Sequence, residues 1–96
     1  MSNRNPVQDV QRRARVREFV RAFKETHSCR DCGMSYPHYV MDFDHVFGVK
    51  TADVSDLMSR GSCSIHRIQT EITKCQLVCA NCHRKRTFLR QPPRSL

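Results

Sequence analysis

Hydrophobic positions recur at two distinct spacings along this chain, one predicting helices and the other a strand. From Pro6 to Thr26 the apolar residues Val16, Phe19, Val20 and Phe23 fall at helical intervals, with Val7 and Val10 one to two turns earlier and Arg12, Arg13, Arg15, Arg17 and Arg21 filling much of the remaining surface. This predicts one long basic helix, a rod of roughly 30 Å at 1.5 Å rise per residue. Val40 to Val46 alternates instead, which predicts a half-buried strand with Met41 and Phe43 inward and Asp42 and Asp44 outward. Pro37 places a turn before it, and Gly48 is a break after it. Val54, Leu57 and Met58 predict a short helix capped by Asp53 or Ser55 and broken by Arg60-Gly61-Ser62. Ile65, Ile68 and Ile72 predict another helix, ending near Lys74. Gln76-Leu77-Val78 reads as a second short strand, and a last helix runs from near Ala80 to about Arg90, because Pro92 and Pro93 forbid continuation.

The class is therefore α+β, in a single domain spanning residues 1–96: a basic helix (6–26), a core (27–90) with helices inserted between two strands, and a tail (91–96). A domain of 96 residues buries too little apolar surface to be comfortably stable on hydrophobicity alone, so a covalent or metal staple is expected. Six cysteines are available. The N-terminus shows no apolar core of signal-peptide length, and no run of about 18 apolar residues is present to span a membrane. A cytoplasmic protein is expected, with reduced thiols that act as metal ligands rather than disulfides.

Four of the six thiols form two pairs of identical spacing, Cys29-x-x-Cys32 and Cys79-x-x-Cys82. Together they offer the four thiolates of a closed tetrahedral Zn²⁺ site, which is a structural arrangement with no open position. Cys63 and Cys75 lie outside both pairs and are expected to be ordinary small apolar residues. The formal charge of +8 is concentrated at the two ends. Both ends are basic while the segment 27–82 is slightly acidic, a pattern suited to gripping a polyanion around a carboxylate-bearing centre. A merely solvated basic surface would give the same count.

Cys29-Arg-Asp-Cys32-Gly33, Met41-Asp-Phe-Asp-His45-Val46 and Glu71-Ile-Thr-Lys-Cys-Gln-Leu-Val-Cys-Ala-Asn-Cys-His83-Arg-Lys-Arg-Thr87 together resemble the HNH endonucleases of the ββα-metal, or His-Me finger, superfamily, in its small zinc-braced bacterial and phage branch. The resemblance covers roughly residues 29–87. It implies a metal-dependent endodeoxyribonuclease that hydrolyses phosphodiester bonds by nicking or low-specificity cleavage. His45 would be the general base, and Asp44 and His83 would hold one divalent cation, Mg²⁺ or Mn²⁺, with Ni²⁺ or Zn²⁺ also accepted by such a ligand pair. Two positions depart from the family pattern. Lys74 stands where an asparagine usually orients the base, leaving Asn81 as an alternative orienting residue, and Thr87 stands where some members carry a further histidine. His27, His38 and His66 have no comparable setting and are expected to be surface or packing residues.

The expected partner is DNA, whether duplex, branched or single-stranded, with RNA equally compatible with the charge. Arg84, Lys85, Arg86 and Arg90 of the last helix would contact phosphates and Arg12, Arg13 and Arg17 would extend the footprint. Recruitment into a phage or bacterial protein complex, and a monomeric or homodimeric state, are both compatible with the sequence; a membrane is not an expected partner. Two other classes explain the cysteines: a non-catalytic zinc module that binds nucleic acid or an assembly partner, and a redox-sensing thiol protein. Neither accounts for Asp44, His45 and His83 accompanying the two pairs.

Overall fold

The computed structural model describes residues 5–59 and 63–90. The expected break at Arg60-Gly61-Ser62 and the tail 91–96 lie outside them. The described residues form a small α+β architecture: helix α1 (Pro6–Thr26), a 3-10 turn (His38–Val40), strand β1 (Met41–His45), helices α2 (Val54–Ser59) and α3 (Ile65–Ile72), strand β2 (Cys75–Cys79) and helix α4 (Ala80–Arg90). The helical insertion between the two strands is present as expected.

Helix α1 starts where Asn5 accepts a hydrogen bond from the Val7 amide at 2.9 Å and Pro6 occupies the first turn, where a missing N–H costs nothing. It stops at Thr26, whose hydroxyl turns back onto the Ala22 carbonyl at 2.8 Å, while the His27 ring stacks on Phe23. Only the second half of this helix carries a core face. Val16 and Val20 are buried, Phe19 and Phe23 are half-buried, and Val7 and Val10 are exposed. The expectation that the apolar stripe extends back to Val7 is thus corrected: α2 and α3, which cover the stripe, are too short to reach the first turns.

Two apolar clusters result. The first joins Val16 and Val20 to Val54 and Leu57 of α2, Cys63, and Ile68 of α3. The second surrounds the cysteine pairs with Met41, Leu77 and Val78. Phe43 touches both and ties them together. Cys63 is a buried member of the first cluster. Burial pushes the half-buried Cys75 thiol up to about 11, so both cysteines behave as the small apolar residues expected.

Strands β1 and β2 pair antiparallel in an unbroken register, with Met41 opposite Cys79, Phe43 opposite Leu77, Asp44 opposite Gln76 and His45 opposite Cys75. The far end of the ladder is closed by one carbonyl: the amides of Val46 and Phe47 both donate to Lys74 O, at 2.8 and 2.9 Å. Gly48 then takes φ +65°, a left-handed turn that leads the chain away toward α2. One strand residue departs from expectation. Asp44, read from alternation as outward, is only 4% exposed, because α4 lies over that face of the sheet.

Candidate metal centre and adjoining polar site

Cys29 and Cys32 sit on a tight turn made by two backbone bonds, Gly33 N to Cys29 O at 2.9 Å and Cys29 N to Met34 O at 2.8 Å, with Gly33 at φ +73°. Cys79 ends β2 and Cys82 falls in the first turn of α4. Asn81 lies between them inside the helix. No non-glycine residue among those described has positive φ, and Asn81 has ordinary helical backbone. Its side chain is exposed and has no described role in orienting His45.

The ligand atoms of all four cysteines lie within 4.8 Å of one another, and this is the one cluster of three or more metal-type side chains among the described residues. Tetrahedral Zn²⁺ with Zn–S bonds of about 2.3 Å needs sulfurs about 3.8 Å apart. The four cysteines could therefore hold a metal such as zinc with small adjustments. Their protonation chemistry leads the same way. Burial opposes a charge on Cys29, yet the amides of Cys32, Cys79 and Asp31 outweigh it and bring the thiol down to about 6. The amides of Cys32 and Cys79 lie 3.5 and 3.3 Å from its sulfur. Cys82 is pushed up to about 12, chiefly by its hydrogen bond to Cys79.

The first turn of α4 carries His83 out of this cluster and over β1. Its Nδ1 lies 3.1 Å from Asp42 Oδ2 and its Nε2 lies 3.8 Å from Asp44 Oδ1. Asp42 and Asp44 share a face of β1 because strand side chains alternate. With Nδ1 engaged by Asp42, Nε2 is the nitrogen left facing Asp44, the usual division of labour in a carboxylate–histidine–metal arrangement. Asp42 is a member of this site that the sequence reading missed. Its signal was the Asp-x-Asp spacing, which puts two carboxylates on one face.

Asp44 is already engaged. Arg90 grips it with two hydrogen bonds, Nη1 to Oδ1 at 2.9 Å and Nη2 to Oδ2 at 2.6 Å, and Arg86 Nη1 adds a third to Oδ2 at 2.9 Å. These hydrogen bonds, with Arg90 foremost, bring the carboxyl down to about 2 despite its burial. Arg86 also forks onto Asp31 in the first cysteine turn at 2.6 and 2.5 Å, so it links α4, β1 and the cysteine cluster. Both arginines were expected on phosphates; here they face carboxylates.

His45 points to a different partner. Its Nε2 lies 2.8 Å from Glu71 Oε2, and Glu71 is 3% exposed. Glu71 further accepts from the Thr51 amide at 3.2 Å and from Lys74 Nζ at 3.1 Å. Lys74 Nζ reaches on to Val49 O at 2.8 Å and Thr51 Oγ1 at 3.1 Å. Burial works against ionisation of Glu71, but Lys74, Thr51 and His45 together hold its carboxyl below the usual glutamate range. Of the expected trio, then, Asp44 and His83 adjoin, while His45, the last residue of β1, turns to α3. Glu71 was missed as a functional residue. Its signal was its place three residues after Ile68, on the apolar stripe of a short helix, where a charge must have a buried partner.

The remaining candidates spread outward. Arg84 and His83 border an open cleft of about 640 Å³ with Asp42, Ala80, Thr87 and Phe88. Lys85 is exposed. Thr87, in the position of the extra histidine, donates its hydroxyl to His83 O at 3.1 Å and so braces that turn. Arg13 and Arg17 border Ser55, Met58 and Ser59 of α2, and Arg12 pairs with Asp9 at 3.4 Å. The α1 cation at the site is instead Lys24, which shares a groove with Asp42 and His83 and lies 5.4 Å from the centre of the Phe43 ring. His27, His38 and His66 remain outside, with His38 against Glu25 at 3.1 Å. No described helix is long and apolar enough to cross a membrane. No protein-family model, curated protein or solved structure matches the chain.

Proposed function

We propose that this protein is a metal-dependent HNH-type endonuclease acting on DNA, with a structural zinc on Cys29, Cys32, Cys79 and Cys82. The observation that carries the reading is the convergence of Asp44 and His83 at 3.8 Å, with His83 oriented by Asp42 and seated one residue after a metal-binding cysteine. A divalent cation such as Mg²⁺ or Mn²⁺ on this pair would neutralise charge building on a phosphate and its leaving oxygen. The chain supplies the rest. His45, with Nε2 engaged by Glu71, presents Nδ1 as the proton acceptor for an attacking water. Arg84 and Lys85 on the exposed side of α4 and Lys24 in the groove attract the backbone without reading sequence.

Incubation of the purified protein with supercoiled plasmid and Mg²⁺ or Mn²⁺ tests this. Nicking that EDTA and His45→Ala both abolish is the expected result; no nicking with any divalent ion, or equal nicking by His45→Ala, would sink it.

One observation favours a second reading, a non-catalytic zinc module that binds nucleic acid. Asp44 is tied to Arg86 and Arg90, and His45 to Glu71, as purely structural ion pairs would be. That reading predicts salt-sensitive nucleic-acid binding without any cutting in the same assay.

A further inference from the structure

Arg90 and Asp44 form an unequal pair. The Asp44 side chain is 5% exposed and both of its oxygens are filled, whereas Arg90 is 52% exposed at the end of α4. Arg86 differs from Arg90 in being anchored elsewhere by its two bonds to Asp31. The ion pairs described for Arg90 all go to Asp44.

We propose that Arg90 is a latch on the cation site: it holds the Asp44 carboxylate in the absence of nucleic acid, and exchanges it for a backbone phosphate as a divalent cation enters. The proposal rests on the nuclease reading of the Asp44–His83 pair. A planar guanidinium makes the same two-point contact with a carboxylate and with the two non-bridging oxygens of a phosphodiester. Exchange therefore conserves the hydrogen bonds of Arg90 while freeing an oxygen beside His83 Nε2. Charge favours making both changes together. A divalent cation added alone would place two further positive charges beside two guanidiniums that the Asp44 and Asp31 carboxylates already balance, with Asp42 on the other side of His83. A phosphate arriving with it supplies the missing negative charge and draws Arg90 away. Cation and nucleic acid should thus strengthen each other's binding reciprocally, by roughly 5-fold or more.

The experiment follows free Mn²⁺ by electron paramagnetic resonance in zinc-loaded His45→Ala protein, with and without a short DNA duplex that this variant leaves intact, after subtraction of Mn²⁺ held by duplex alone. Duplex is expected to tighten Mn²⁺ binding roughly 5-fold or more. Adding Arg90→Lys should tighten Mn²⁺ binding to a similar extent without duplex, and remove most of the effect of duplex. The substitution keeps the charge and loses only the two-point grip, so net charge alone predicts no change. Unchanged affinity in Arg90→Lys, or an affinity indifferent to duplex, overturns the latch while leaving the nuclease reading intact, provided Asp44→Asn abolishes the site. Absence of any Asp44-dependent Mn²⁺ site in every protein overturns both.

Discussion

His45 Nε2 and Glu71 Oε2 are 2.8 Å apart, across 26 residues of sequence. Under the nuclease reading this contact would take over the orienting job of an asparagine at the position of Lys74, which would make Glu71 a positioning residue. His45→Ala should lower the single-turnover nicking rate by about 10²- to 10⁴-fold. Glu71→Ala should lower it by about 10- to 100-fold. Glu71→Gln, whose amide oxygen still accepts from Nε2–H, should recover most of that loss. A glutamine variant as slow as the alanine variant would show that the contact does not orient the base.

Lys74 acts on His45 at one remove. Its ammonium holds Glu71, Thr51 and the Val49 carbonyl together, so Lys74→Met leaves a buried carboxylate oxygen without its cation. Destabilisation of about 1–3 kcal/mol is expected from urea unfolding of the zinc-loaded protein. Hydrogen exchange should quicken in residues 49–53, and an unaltered exchange pattern there would count against the role assigned to Lys74.

Burial differs sharply between the helical core and the first turns of α1. Ile68 is fully buried and Val10 is 56% exposed. Ile68→Ala should cost about 2–5 kcal/mol. Val10→Ala should stay within about 0.5 kcal/mol. Equal losses at the two positions would mean that the first turns of α1 are covered in solution.

Metal removal and pH test the cysteine cluster together. The protein as isolated should retain one zinc per chain by native mass spectrometry, and Cys82→Ser or exhaustive chelation should abolish cooperative thermal unfolding. Bound metal requires thiolates, so affinity rises with pH wherever a ligand still holds its proton. Cys82, pushed up to about 12, must lose a proton across the whole neutral range. Cys29, brought down to about 6, adds a further proton only below that pH. Affinity from competition with a chromophoric chelator should therefore rise at least about tenfold per pH unit above pH 6, and more steeply below it. A pH-independent affinity would contradict the ligand set.

Much of this molecule follows from local rules. Helix α1 has the bounds its periodicity and its proline predict, α4 runs from Ala80 to Arg90, and the alternation around Phe43 marks β1 to within a residue at each end. The paired cysteines announced their cluster because metal-ligand spacing is a property of a single turn. Side-chain partnerships across elements were not legible in that way. Alternation says that Asp44 and His45 leave β1 on opposite faces, but it cannot say what covers each face.

The sequence by itself thus determined the elements, the cysteine cluster and the short list of chemically capable residues, because each depends on neighbours a few positions away. Only the tertiary structure decided the pairings. Packing of α4 over β1 buried Asp44 beneath Arg86 and Arg90 and brought His83 between two aspartates. Packing of α3 at the end of the ladder gave His45 to Glu71. A charged group's partner is set by whichever opposite charge shares its buried space, and residues 26 to 46 positions apart come to share that space only when the helices close over the sheet.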